Sequence, residues 1–321
     1  MKKYAVAALG ELLVDFTEAG VSASGMRLYE QNPGGAPANV LCLAARQGLK
    51  TAFLGKVGAD THGRFLSSVL AREGIDIKGL VTAEDAYTTL AFVSLDQNGE
   101  REFSFARNPG ADTTIRPDEL CTDILTDCCI FHFGSLSLTT EPARQTTFRA
   151  AEIAAAAGAF ISYDPNYRAP LWRSAEEAVE MMRRPIGLSD AVKVSAEEAL
   201  LITGERTVER ASAAMLAMGA KLVVITDGAK GARFEHSGGS GFVPAYAVSG
   251  SVDTTGAGDA FWGAFLSRLS AYENLDVFLP DIEEHIRFSH AAAALCVLKR
   301  GAIPAMPYKE DIEKIINDRR D

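Results

Sequence analysis

Between residues 253 and 259 the chain reads Asp-Thr-Thr-Gly-Ala-Gly-Asp, and an apolar, helix-patterned run follows at once. Two glycines separated by one alanine let the backbone turn tightly and approach a ligand closely. A helix starting there presents unpaired N–H groups and the positive end of its dipole, a seat for an anion. Asp259 falls in the first turn, where the dipole stabilises a carboxylate. A bound phosphate would repel that carboxylate, so an acid at this position needs a role of its own, such as taking a proton. The stretch reads as a phosphate cradle with a general base beside it, or as an ordinary capped turn with an acidic residue. A β-favouring segment, residues 242–248, leads into it.

A second small-residue turn lies upstream. Asn-Pro-Gly-Gly-Ala-Pro-Ala-Asn, residues 32–39, opens an Ala/Leu-rich helix that Gly48 closes. Asn39 offers both a donor and an acceptor to a ligand. The alternative is a helix start that uses Gly and Pro for geometry alone. Before it, the apolar run Ala5–Leu9 reads as a buried strand, and Glu11 and Asp15 follow just past its end. Open α/β sheets bind ligands beyond the carboxyl ends of their strands, so Asp15 is either a site residue or a solvated loop acid.

Bulk properties set the frame for these residues. A chain of 321 residues buries roughly three quarters of its surface on folding. Its 47% hydrophobic and 23% charged content is that of a soluble globular protein. A net charge of −10 argues against nucleic acid or an anionic membrane as main partner, while leaving room for a locally positive phosphate site. No apolar run reaches the roughly 18 residues of a membrane span, and the first residues lack a signal-peptide layout. Five cysteines without CxxC spacing read as reduced thiols, which implies a cytoplasmic protein.

The elements that must position the turns alternate. Strand-like runs at 51–58, 130–133, 160–164, 191–194 and 222–226 interleave with helical runs at 62–73, 141–157, 175–183, 196–203, 208–218 and 282–298. That pattern predicts a mainly parallel α/β sheet covered by helices on both faces. Residues 88–106 differ: two alternating runs flank Asn98-Gly99, a hairpin signal, and an inserted hairpin suits a lid or a subunit contact. The expectation is one domain, 1–321, with a small β lid from segments about 12–33 and 86–110 through which a homodimer could form. Ala291 to Ala294 should pack on something flat, a neighbouring helix or a planar base. His132 in an apolar strand reads as core and His285 on a polar helix face as surface. Walker, dinucleotide and zinc patterns are absent.

With these residues in view, Asp253 to Phe261 resembles the C-terminal signature of the ribokinase/PfkB family of carbohydrate kinases, and residues 34–39 resemble its N-terminal glycine motif. The similarity runs from Gly10 to Pro307. Residues 10–16, 107–112, 131–138 and 163–172 are similar to fructokinases, bacterial and plant, more than to ribokinases or adenosine kinases.

The resemblance implies a ribokinase-like fold and transfer of the ATP γ-phosphate to a ketose hydroxyl, fructose to fructose 6-phosphate. The rivals are 2-keto-3-deoxygluconate or another sugar as substrate, and a non-catalytic sugar-binding regulator. It implies that Asp259 is the general base and that the N–H groups of Gly256, Ala257 and Gly258 form the anion hole. Asp15, Gly34, Gly35 and Asn39 carry over as sugar residues, with Arg107 and Arg168 matched more loosely. Lys193, Thr226, Gly228, Gly231 and His290 carry over for the nucleotide, His290 near the adenine edge. The family's Asn-x-x-Glu motif falls on Ser195 to Glu198, with serine replacing asparagine, and Glu198 is implied to reach Mg²⁺ through water. Asp253, Thr255, Lys299 and Gly301 match a monovalent-cation (K⁺) site, although Ala305 stands where ribokinase has a serine.

Overall fold

The computed structural model describes residues 2–95 and 101–318, so the expected Asn98-Gly99 turn lies outside the described residues. Nine strands form the main sheet: β1 (Tyr4–Leu9), β4 (Thr51–Gly58), β5 (Asp76–Ala83), β8 (Cys128–Gly134), β9 (Phe160–Asp164), β10 (Ala191–Ser195), β11 (Leu222–Thr226), β12 (Gly231–His236) and β13 (Gly239–Pro244). Their order is β13-β12-β11-β10-β9-β8-β1-β4-β5, parallel from β11 to β5 and antiparallel at β12 and β13. The remaining strands, β2 (Leu13–Val21), β3 (Arg27–Gly34), β6 (Leu90–Leu95) and β7 (Arg101–Ala106), make a second sheet in the order β3-β2-β6-β7.

The helices are α1 (Ala36–Arg46), α2 (Thr61–Arg72), α3 (Thr122–Thr126), α4 (Ala143–Ala156), α5 (Ala175–Arg183), α6 (Ala196–Thr203), α7 (Val208–Ala217), α8 (Ala257–Leu269), α9 (Leu275–Phe278), α10 (Ile282–Cys296) and α11 (Lys309–Asn317). Strand β1 shows why both faces must be covered. Val6 and Ala8 join a core with α1, α8 and α10, while Ala7 and Leu9 join a second core with α4 to α7. A strand buried on both faces can be apolar at every position, which is the pattern of β1 and β4. Helix α8 lies between α1 and α10. Gly263 permits the approach, since a Cβ there would stand 2.7 Å from the Val40 carbonyl oxygen. The buried Ala291, Ala292 and Ala294 lie on α10, the helix that packs against α8, α11 and β13.

Three expectations are corrected. The segment before α8 does not run as a strand into the helix, because β13 ends at Pro244 and residues 245–256 form a loop. Asp15 lies on β2 of the small sheet and not on a loop. His285 is 1% exposed, stacked on Phe278 and edge-on to Tyr272, residues from the preceding segment that cover what its own helix leaves polar. His132 is buried as expected, and all five cysteines are free. Among the described residues no helix is long and apolar enough to cross a membrane.

Candidate active site

The two glycine turns meet. Helix α8 opens at Gly256 with φ 78°, and α1 at Gly35 with φ 117°, so both N-caps are in the left-handed region that glycine tolerates. Neither residue has a side chain to cap its helix. From the first turns, Asn39 Nδ2 donates to Asp259 Oδ2 at 2.7 Å, across 220 positions of sequence. The two residues line a cavity of about 220 Å³ with Glu11, Asp15, Arg168 and Lys193.

Charge in this cavity is predominantly acidic and poorly solvated. Burial raises the Asp259 carboxyl above its ordinary range. Lys193, the Asn39 hydrogen bond and Arg168 oppose that rise, and Asp164 adds to it. Asp15 is pushed up to about 7 by burial, with Arg168 pulling down and Asp259 and Asp253 pushing up. Glu11 also reaches about 7 through burial, although its Oε1 accepts the Ala36 N–H at 2.9 Å. Lys193 donates to Asp164 Oδ2 at 2.6 Å; burial works against its charge, but Asp164, Glu198 and Asp259 together hold it charged. Its ammonium stands beside the α8 turn, 3.1 Å from where a Cβ on Gly258 would be. Farther along α8 from Asp259, Trp262 Nε1 donates to Ser162 Oγ at 2.8 Å, and His132 Nδ1 lies 3.0 Å from the same oxygen.

Not every expected residue comes to this cavity. Gly34 ends β3 against Asp15, leaving no room for a side chain. Arg107 is buried in a network outside the cavity, giving Nε and Nη2 to Asp112 Oδ2 at 2.9 and 2.6 Å and Nη1 to Thr139 at 2.9 Å. Arg168 lines the cavity and donates to the Tyr167 carbonyl at 2.9 Å. Thr226, Gly228 and Gly231 gather at the turn from β11 to β12, and Lys193 lies on the neighbouring strand β10. His290 is buried under β13, its Nε2 3.1 Å from the Val243 carbonyl oxygen and its ring edge-on to Phe261. Ser195 caps α6 and accepts the Glu198 N–H at 3.1 Å, while Glu198 accepts the N–H groups of Ser195 and Tyr167 at 2.8 and 2.6 Å. Asp253 clamps two loops, accepting the N–H groups of Thr255 and Gly301 at 2.9 and 3.0 Å, and Lys299 is exposed beside them. Glu11 and Asp164 are site residues that the motifs did not single out; the signal for Glu11 was a second carboxylate just past β1.

This architecture and site define a sugar-phosphorylating class. A family model described as pfkB family carbohydrate kinase matches residues 4–309, and the chain belongs to that family. It is 40% identical to probable fructokinase-5 of Arabidopsis thaliana, over 98% of each chain. The crystal structure of a fructokinase with bound ATP from Xylella fastidiosa superposes with TM-score 0.92 at 33% identity, covering 100% of both chains. A fructokinase of Vibrio cholerae O395 in fructose-, ADP- and calcium-bound form gives TM-score 0.85 at 32% identity, covering 97% of this chain and 99% of that one. The fold is therefore ribokinase-like and the enzyme a carbohydrate kinase.

Proposed function

We propose that the chain is an ATP-dependent fructokinase that forms fructose 6-phosphate. The observation that carries this is Asp259, buried in the first turn of a helix with no side-chain cap and held by Asn39. Asp259 takes the proton of the attacking hydroxyl, and the N–H groups of Gly256 and Gly258 face the charge that develops on the transferred phosphoryl. The Ala257 N–H, which donates to the Thr254 carbonyl at 3.3 Å, joins them by giving up that long bond. Lys193 adds a cation beside that turn. Asp15, Gly34, Gly35 and Asn39 hold the sugar with help from Arg168, and the small sheet that carries Asp15 is its lid. Glu11, Asp15 and Asp259 crowd the cavity with carboxyls, which favours a neutral ketose over a sugar acid such as 2-keto-3-deoxygluconate.

The nucleotide lies along the β11–β12 turn at Thr226, Gly228 and Gly231, with His290 shaping the wall behind β13. Mg²⁺ fits near Glu198 only through water, because both carboxylate oxygens already receive backbone N–H groups; bound there it screens phosphate charge. K⁺ fits the loops joined by Asp253 through their backbone carbonyls, with Thr255, Lys299 and Gly301 around it. The apolar residues Val21, Met26 and Leu28, exposed on and between β2 and β3, favour a homodimer through the small sheet.

ADP release measured with fructose, ribose, tagatose and 2-keto-3-deoxygluconate tests the reading. The highest kcat/KM is expected for fructose. Preference for the sugar acid overturns the substrate, and no turnover with any sugar overturns the enzyme in favour of a binding regulator.

A further inference from the structure

Asn39 is a buried amide with only one of its two polar ends engaged. Its Nδ2 donates to Asp259 Oδ2 at 2.7 Å, while its Oδ1 is buried without a partner among the described residues. An amide placed for stability alone would have both ends satisfied, since an unpaired buried oxygen is costly. The orientation is set by charge. Turning the amide over would put its oxygen against the Asp259 carboxylate, which repels it when ionised. The position is also rigid: Asn39 is in the first turn of α1, 4% exposed, with its N–H on the Gly35 carbonyl at 2.9 Å.

We propose that Asn39 is a positioning residue for Asp259, holding Oδ2 so that Oδ1 is the oxygen that takes the substrate's proton and keeping the carboxyl ionised inside a buried, acid-rich cleft. This rests on Asp259 being the general base. The groups facing Asp259 divide into two sets. Lys193 on β10 and Arg168 after β9 favour its anion, whereas Asp164 on β9 opposes it. Asp15 on β2 and the Cys296 thiol on α10 also feel its charge. Lys193 is already shared with Asp164 at 2.6 Å, so among the described residues the Asn39 amide is the neutral side-chain donor given to Asp259. A hydrogen bond to the charged form lowers a carboxyl pKa, and its removal raises it.

The test is the pH dependence of kcat for fructose at saturating ATP in wild type, Asn39→Ala and Asn39→Asp. Alanine is compatible with an α-helix, and aspartate keeps the side-chain shape, so the pair guards against a folding failure in either. In Asn39→Ala the acid limb should move up by about one pH unit, the size of one lost charge-assisted hydrogen bond. In Asn39→Asp two carboxyls would share one proton, and the limb should move further. On the alkaline side turnover should rise to a plateau that stays below wild type in both, because Asp259 is then ionised but no longer oriented and the sugar has lost a contact. A uniform fall at every pH with an unmoved limb overturns the proposal and leaves the base assignment intact. Retained turnover in Asp259→Asn overturns the base assignment itself, and this proposal with it.

Discussion

Two helices start at the floor of the same cleft with the same device, a positive-φ glycine that cannot cap them, yet they differ in what meets their N–H groups. At α1 the chain supplies its own carboxyl acceptor: Glu11 Oε1 accepts the Ala36 N–H. At α8 no side chain caps the first turn among the described residues, and the Lys193 ammonium stands 3.1 Å from where a Cβ on Gly258 would be. A helix end already filled by a carboxylate does not recruit a phosphate, whereas an open one with a lysine beside it does. A third start, α6, is closed by the Ser195–Glu198 box. Similar glycine motifs thus divide into a turn that the chain fills itself, on the proposed sugar side, and a turn without a side-chain cap, on the proposed phosphate side.

The comparison breaks most clearly at the open end. Asp259→Asn should lower kcat by roughly 10²- to 10⁴-fold with the KM for fructose little changed, as read in steady-state assays. Next, Gly256→Ala should cost roughly 10- to 100-fold in turnover through a displaced anion hole. Its φ of 78° disfavours a side chain, and the added Cβ would lie 2.9 Å from that of Ala302.

At the filled end the prediction concerns stability. The Glu11 pKa is raised from 4.5 to about 7 in the fold, so its stabilising contribution is fully present below about pH 4.5 and is lost as pH rises through about 7. Glu11→Gln should therefore melt higher than wild type at pH 8, with the gap closing toward pH 5, by a margin on the order of 1–2 kcal/mol. A gap independent of pH would mean that Glu11 ionises in the fold as readily as in the unfolded chain, the Ala36 N–H offsetting its burial. Smallest is α6: Ser195→Ala should cost about 1 kcal/mol in thermal melts, as for a lost N-cap, with turnover kept. A large rise in the KM for Mg-ATP would instead tie Ser195 to the nucleotide.

Much of this was legible because its causes are local. The runs at 51–58, 160–164, 175–183, 196–203 and 222–226 have the bounds of the elements observed, since each is an apolar or amphipathic block between turn residues. The two glycine motifs needed only their own residues to be recognised. What was not legible depends on partners far away in sequence. Arg107 has the composition of a substrate cation, but Asp112 and Thr139 already hold it. Lys193 belongs to a buried pair only because β9 lies beside β10. Strand β5 was missed because it is an edge strand whose alternation of Asp76, Lys78 and half-buried apolar residues is weak.

Trp262 has a use that goes beyond packing. One turn along α8 from Asp259, its indole is fully buried and hydrogen-bonded to Ser162 on β9, the strand that ends in Asp164. Only two tryptophans exist in the chain. A ligand that draws Asp259 or the Lys193–Asp164 pair toward itself pulls on the helix and the strand between which this indole is wedged. Titration with fructose is therefore expected to shift its near-ultraviolet emission in a Trp172→Phe background, an optical reading of cleft occupancy without label, coupled enzyme or turnover.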